Sequence, residues 1–129
     1  MPPISVTLDR QDPPVGIVTL EGEHDAYSAQ RIESEIALLL DSGVHVVIDL
    51  TEATFVDAQT LSVLLSGRHQ AERAQLGFGL VLPEADFTQV HRILNMTGLG
   101  SWFVTASTLT DAVGAARAGR NAGRRLRVA

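Results

Sequence analysis

The stretch VHVVIDLTEATFVDAQTLSVLL, residues 44–65, decides the fold of this chain. Its first part, VHVVIDL, is apolar on both faces, as a strand is when other elements cover both sides of its sheet. After the link TEATFVD, the apolar residues Leu61, Leu64 and Leu65 recur at the spacing of one helix face. A buried strand that leads into an amphipathic helix predicts an α/β domain, and such domains tend to keep their working surface at this kind of junction.

The chain before this junction predicts two strands and a helix. ISVTLD (residues 4–9) and VGIVTLEG (residues 15–22) have strand patterns, and the short turn between them indicates an antiparallel pair. The helix that follows has Ser28 as its expected N-cap and ends at Gly43.

The chain after the junction repeats the alternation of strand and helix. GFGLVLP (residues 77–83) predicts another buried strand, the fourth strand in chain order, and Phe87 opens the apolar stripe of the next helix. WFVT (residues 102–105) predicts a last strand, and Thr108 opens a final helix. The order predicts a single α/β domain, in which roughly four helices pack against a small mixed sheet of about five strands.

Charge divides the chain into an acidic body and a basic end. All ten basic residues are arginine, and residues 1–116 hold five of them against 15 acidic residues, a net charge of −10. An acidic body argues against nucleic acid as the main partner, because affinity for a duplex depends largely on neutralised phosphates. We predict a domain at residues 1–118 and a flexible, Arg-rich tail at residues 119–129. The alternative role for the tail is binding to an anionic surface or an RNA.

The motifs of catalysis and metal binding are absent from the sequence. Without cysteine there are no disulfides, thiolate nucleophiles or Cys-based metal sites, and the four histidines lack metal-ligand spacing. No nucleophile elbow occurs, and the chain has no lysine for a phosphate-binding loop. No apolar run approaches the roughly 18 residues of a membrane span. We therefore predict no catalytic residue, metal or cofactor, no integral membrane segment, and a cytoplasmic location.

The entrance of the second predicted helix admits two interpretations. Asp57 as N-cap would accept a hydrogen bond from the N–H of Gln59 or Thr60, which stabilises a helix by about 0.5–2 kcal/mol. Helix N-termini also attract anions, so a phosphate at this place would change the local charge strongly without unfolding the helix. The segment is therefore either a cap alone or a switch that alters how a partner docks.

Three segments, in order and at matching spacing, resemble the STAS domain family, especially bacterial anti-sigma factor antagonists. GEHDAYSA (residues 22–29) is similar to the family's Gly-Glu-Leu-Asp stretch. DLTEATFVDAQTLSVLL (residues 49–65) resembles its signature, in which a strand end precedes Asp-Ser-Ser-Gly-Leu-Gly-Val. RILNMTGLGSWF (residues 92–103) resembles the segment that joins a helix to the last strand. The similarity covers about residues 4–118.

This resemblance implies a protein that binds an anti-sigma factor and so frees a sigma factor. The family's partner is a serine kinase with a histidine-kinase-like ATP-binding fold, which inactivates the antagonist by phosphorylating the second serine of the signature. In this chain Ala58 and Gln59 replace the two serines, while Thr60 and Ser62 replace the glycines. Gln59 therefore occupies the phosphoacceptor position and cannot accept phosphate.

The departure from the signature leaves three alternatives. The antagonist stays competent to bind, or Thr60 has become the phosphoacceptor, or the module has left the sigma circuit. In the last case it is a scaffold, a sensor or a transporter-accessory subunit, with other STAS proteins as partners. In each case we expect an interaction surface at the junction of the third predicted strand and the second predicted helix. Its expected residues are Asp25, Ser28, Asp57, Ala58, Gln59, Thr60 and Ser62.

Overall fold

The computed structural model describes residues 3–123 and contains seven strands and four α-helices in that range. Their bounds, in chain order, are β1 (Ile4–Asp9), β2 (Val15–Leu20), β3 (Gly22–His24), α1 (Ala26–Asp41), β4 (His45–Asp49), β5 (Ala53–Val56), α2 (Ala58–Ala74), β6 (Phe78–Val81), α3 (Gln89–Thr97), β7 (Val104–Ala106) and α4 (Leu109–Arg117). A short 3₁₀ helix, Leu99–Trp102, lies between α3 and β7.

Five of the strands form one mixed sheet in the order β1-β2-β4-β6-β7. β1 is antiparallel to β2, as the short turn between them predicts, and every other neighbouring pair is parallel. The parallel pairs follow from the helical crossovers, since a chain that returns through a helix enters the sheet in the same direction. The prediction of an α/β domain with a five-stranded mixed sheet and four helices is confirmed.

Apolar side chains cover both faces of the sheet. On β4, Val46 and Ile48 belong to the larger core with residues of α1, α2 and α3, whereas Val47 packs with Val113 and Ala116 of α4. This division explains why VHVVIDL is apolar at nearly every position. Of its two polar members, His45 and Asp49, His45 is buried and accepts a hydrogen bond from the N–H of Gly77 at 2.8 Å. His45 is therefore a hydrogen-bonded core histidine.

A second, two-stranded parallel sheet joins β3 to β5, and the sequence did not predict it. The interpretation of TEATFVD as a plain link was wrong, because Ala53–Val56 is a strand. β3 follows β2 and β5 follows β4, and these two longer strands are parallel neighbours. Both extensions therefore leave the main sheet at the same edge and lie close enough to pair.

Two further details differ from the sequence prediction. α3 begins at Gln89, so Phe87 lies before the helix, and 76% of its surface is exposed. At the C-terminus, contacts with the domain continue beyond residue 118: the carbonyl oxygen of Arg120 accepts from the N–H of Phe78, and Gly123 donates to Trp102. The predicted tail thus begins with residues that touch the domain, and residues 124–129 lie outside the described part of the chain.

Candidate functional site

Asp57 caps the N-terminus of α2. Its backbone is extended, and a carboxylate oxygen accepts a hydrogen bond from the N–H of Thr60 at 2.8 Å. One of the first N–H groups of the helix, which has no partner within the helix, is thereby satisfied. This is the cap that the sequence predicts for the junction.

The entrance of α1 has the same construction, but Asp25 is the N-cap and Ser28 is not. The Asp25 carboxylate accepts from the N–H of Tyr27 at 2.9 Å. Ser28 lies inside the first turn of the helix, where its buried hydroxyl is 3.1 Å from Nδ1 of His24 and 3.2 Å from the carbonyl oxygen of Asp25. The prediction of Ser28 as cap was wrong, because its side chain points inward to His24.

His24 joins the two helix entrances. Its carbonyl oxygen accepts hydrogen bonds from the N–H of Asp57 and from the hydroxyl of Thr60, both at 3.1 Å. Its ring Nε2 lies 2.9 Å from the carbonyl oxygen of Glu21, which only accepts, so Nε2 carries the proton and Nδ1 faces the Ser28 hydroxyl. Burial lowers the pKa of His24 from its usual 6.5, which favours the neutral ring.

Sequence reasoning treated His24 only as a histidine without metal-ligand spacing and missed this role. The available signal was its place directly before Asp25, within the segment GEHDAYSA that the resemblance had already singled out. The fold brings the two predicted entrances side by side, since β3 and β5 pair in parallel and each runs directly into its helix.

The predicted residues divide into an exposed set and a buried set. Ala58, Gln59 and Ser62 are exposed on α2, Asp25 is exposed at the entrance of α1, and Asp57 is half-buried. Ser28 and Thr60 are buried, and none of the surface of Thr60 is exposed. The hydroxyl of Thr60 is thus turned into the fold, while the Gln59 side chain beside it faces solvent.

Gln89 attaches α3 to the end of β5, directly before the entrance of α2. Sequence reasoning also missed this residue. The side-chain amide of Gln89 accepts from the N–H of Val56 at 2.9 Å and donates to the carbonyl oxygen of Val56 at 2.8 Å. This pair of bonds satisfies the edge of β5 immediately before the Asp57 cap. No pattern in the sequence distinguishes Gln89 from an ordinary polar residue in the first turn of a helix.

Hydrogen bonds hold the main chain of the whole site in place, and the exposed side chains extend from it. The carboxylates of Asp25 and Asp57 each accept a hydrogen bond from an N–H group of the following helix. The carboxylate of Asp49 accepts one from the N–H of Thr51, in the turn after β4. Within residues 3–123, no three His, Asp or Glu side chains are grouped to hold a metal ion. In the same range, no helix combines the length and the apolar character needed to cross a membrane.

Comparison with known proteins identifies the family to which this chain belongs. A model of the STAS domain matches residues 7–112. The crystal structure of an anti-sigma factor antagonist from Mycobacterium paratuberculosis is 30% identical, with a TM-score of 0.70, over 89% of this chain and 95% of that chain.

Two structures of the anti-sigma factor antagonist SpoIIAA are more distant and share the fold. The unphosphorylated form is 13% identical, with a TM-score of 0.62, over 84% of this chain and 94% of that chain. The phosphorylated form of SpoIIAA, from Bacillus, is 20% identical, with a TM-score of 0.60, over 85% of this chain and 97% of that chain.

Proposed function

The chain belongs to the STAS domain family, and from that premise we propose that it is a non-enzymatic binding module that acts as an anti-sigma factor antagonist in the cytoplasm. Its proposed partner is a kinase-type anti-sigma factor. The similarity to the Mycobacterium paratuberculosis antagonist, which extends over 89% of this chain, supports the class of function. The observation that carries the proposal is the exposed Gln59 in the first turn of α2, beside the Asp57 cap.

The proposed contact area consists of the exposed parts of both helix entrances. We call Asp25, Asp57, Ala58, Gln59 and Ser62 the entrance surface, with Ser28 and Thr60 beneath it. The main chain under this surface is fixed by the bonds to His24 and by the two caps. A surface that is already ordered loses little conformational entropy when a partner binds, which favours affinity.

Gln59 makes this antagonist different from one that is switched by phosphate. In this proposal Gln59 stands in for the phosphoacceptor serine, and an amide has no hydroxyl to which phosphate can be transferred. Phosphate would bring a charge of about −1.5 to −2 to a place that Gln59 keeps neutral. We therefore propose that the entrance surface stays competent to bind, without the serine phosphorylation that releases the partner in the family.

The neighbouring hydroxyl does not replace the missing serine in this proposal. Thr60 is fully buried and donates to the carbonyl oxygen of His24. A kinase would have to open the first turn of α2 and break this bond before it reached the oxygen. These two facts count against the prediction that Thr60 is a phosphoacceptor.

The test is binding of the purified protein to each purified kinase-type anti-sigma factor of the same organism. Gln59→Glu should weaken binding to the partner at least tenfold, because it places a negative charge where phosphate lies in the family. The fold should survive, since an acidic residue is favourable in the first turn of a helix. Gln70→Glu, about three turns further along α2, is the matched control and should bind like the wild type.

Two results would contradict the proposal. One is a wild-type protein that binds none of these anti-sigma factors. The other is a pull-down from the native cytosol in which the wild type captures only STAS proteins or a membrane transporter. That result would favour the scaffold or transporter-accessory alternative.

A further inference from the structure

A groove lies next to the entrance surface, on the side of α3. It has a volume of about 560 Å³ and runs between the turn that joins β4 to β5 and the segment that joins β6 to α3. Gln89 lines the groove and bonds to Val56, which directly precedes Asp57. The groove and the entrance surface are therefore adjacent parts of one face of the molecule.

Exposed aromatic side chains lie near the helix entrances, and one of them, Phe87, lines the groove. Three of the six aromatic residues of the chain are exposed: Tyr27 by 89%, Phe87 by 76% and Phe55 by 38%. They lie close to the entrances of α1, α3 and α2, respectively. Exposed aromatic residues in the centre of a surface are typical of protein–protein contacts, where a few of them supply most of the binding energy.

Phe87 is positioned as one wall of the groove. Nη1 of Arg92 donates to the carbonyl oxygen of Phe87 at 3.0 Å, which fixes the main chain of the segment before α3. The buried residues Ala53 and Pro83 add apolar surface to the same lining. The groove thus offers an apolar wall to a side chain that enters it.

The charges around the groove are mainly acidic. Glu52 and Glu84 line it and are exposed, and Arg92 is the basic residue in the lining. Asp86 is exposed in the segment that joins β6 to α3, and Glu23 and Asp25 are exposed in and directly after β3, the strand that pairs with β5. An acidic rim favours a basic partner and disfavours nucleic acid, an anionic membrane or a second copy of this acidic face.

We propose that the docking surface extends from the entrance surface into this groove, and that the groove takes a basic side chain, Arg or Lys, of the same partner. The apolar stem of that side chain packs against Phe87, while its charged end lies near the carboxylates of Glu52 and Glu84. This inference rests on the proposed function, because it names the chemistry of the anti-sigma factor surface that the entrance surface meets.

The experiment compares binding of a kinase-type anti-sigma factor by the wild type and by groove variants. Phe87→Ala should bind about tenfold more weakly, mainly through faster dissociation, because it removes an apolar anchor. The double variant Glu52→Gln/Glu84→Gln should associate about fivefold more slowly at low salt, and the difference should shrink as salt screens the charges.

Matched controls lie at the opposite end of α1. Leu38→Ala removes an exposed apolar side chain and Asp41→Asn removes an exposed charge, and both should bind like the wild type. Thermal unfolding of each variant confirms that the fold is retained, as expected for changes at exposed positions.

The outcomes separate this inference from the function on which it rests. If Gln59→Glu loses binding while Phe87→Ala and the double variant bind like the wild type, the inference fails and the proposed function stands. If the wild type binds no anti-sigma factor, both fail. If the wild type forms dimers and Phe87→Ala abolishes them, the groove is a contact between two copies of this chain and the inference is overturned.

Discussion

The two ends of the main sheet are built in opposite ways. At the end where β2, β4 and β6 finish, helix entrances meet and side chains such as Gln59 and Phe87 face solvent. At the other end the main chain packs directly on itself. An ideal Cβ on Gly77 would lie 2.0 Å from the carbonyl oxygen of Ala116, and one on Gly123 would lie 2.1 Å from that of Ser101. We call the first the entrance end and the second the closed end.

A buried arginine strengthens the contrast. Arg68 on α2 is 1% exposed at the closed end, where Nη1 donates to the carbonyl oxygen of Asn121 at 3.3 Å. Asn121 in turn donates from its side chain to the carbonyl oxygen of Leu76 at 3.0 Å. The Nε of Arg68 has no partner among the described residues. We therefore expect changes at the closed end to lower stability, and exposed changes at the entrance end to lower the proposed partner binding.

The largest effect is expected from Gly77→Ala. The new methyl group has no room beside the Ala116 carbonyl, so α4 or the start of β6 must move. We expect a loss of about 3 kcal/mol in the free energy of unfolding, at the upper end of overpacking effects. Urea unfolding measures it.

Gly114→Ala in α4 is the control, because its added Cβ meets no atom within 4 Å beyond its chain neighbours and the backbone of its own helix. This change should stabilise the protein by about 0.5–1 kcal/mol, as alanine does in the interior of a helix. If Gly77→Ala and Gly114→Ala were equally stable, the close packing at Gly77 would not limit stability. That result would contradict the description of a closed end.

At the entrance end, Thr60→Val should cost about 1 kcal/mol of unfolding free energy. Valine keeps the shape of the buried side chain but removes the hydrogen bond to the His24 carbonyl oxygen. Thr110→Val, on the exposed surface of α4, is the control and should change stability by less than about 0.5 kcal/mol. A Thr60→Val variant as stable as this control would show that the link between the two entrances contributes nothing.

Asp57 allows cap and contact to be measured separately. Asp57→Ala should lower the unfolding free energy by about 1 kcal/mol, whereas Asp57→Ser should lower it by a few tenths, since serine is a comparable N-cap. Both should weaken partner binding, because both remove the carboxylate from the entrance surface. Binding by Asp57→Ser at the wild-type level would limit Asp57 to the cap.

The smallest effect is a pH dependence from His24. Because burial lowers the pKa of the folded His24 from 6.5, the unfolded chain binds a proton more readily as pH falls below that value. Stability therefore decreases from about pH 7 to about pH 5. His24→Gln should reduce this decrease, as thermal unfolding at the two pH values will measure.

The His24→Gln variant should keep part of this pH dependence of stability, because His45 also contributes to it. Burial, together with the charge of Arg117, also lowers the pKa of His45, so the slope should be reduced without vanishing. Asp9 acts in a more acidic range, because its hydrogen bonds from the Gln11 main chain and from Arg117 lower its pKa from 3.8. An unchanged slope in His24→Gln would contradict the neutral, buried state of that ring.

The main sheet and the Asp57 cap were predictable from sequence because their signals are local. VHVVIDL is a continuous apolar run, and an Asp before an amphipathic stretch is a strong N-cap signal. The pairing of β3 with β5 was not predictable, since strands of three and four residues depend on distant chain segments that happen to meet.

The errors around the site have a similar cause. Both Asp25 and Ser28 are good N-cap residues, and the contact that turns the Ser28 hydroxyl inward to His24 has no local signal in the sequence. Phe87 fits an apolar helix stripe in the sequence, yet its exposure depends on where the chain leaves β6. Each of these features is set by tertiary contacts that a pattern of residue types does not contain.

The central claim is that Gln59 removes the phosphate switch from an otherwise competent docking surface. The most direct measurement is mass spectrometry of the wild type and of Gln59→Ser after incubation of each with the kinase-type anti-sigma factor and ATP. We predict one phosphate on the substituted position of Gln59→Ser and none on the wild type. Phosphate on the wild-type chain at Thr60 or Ser62 would contradict the claim.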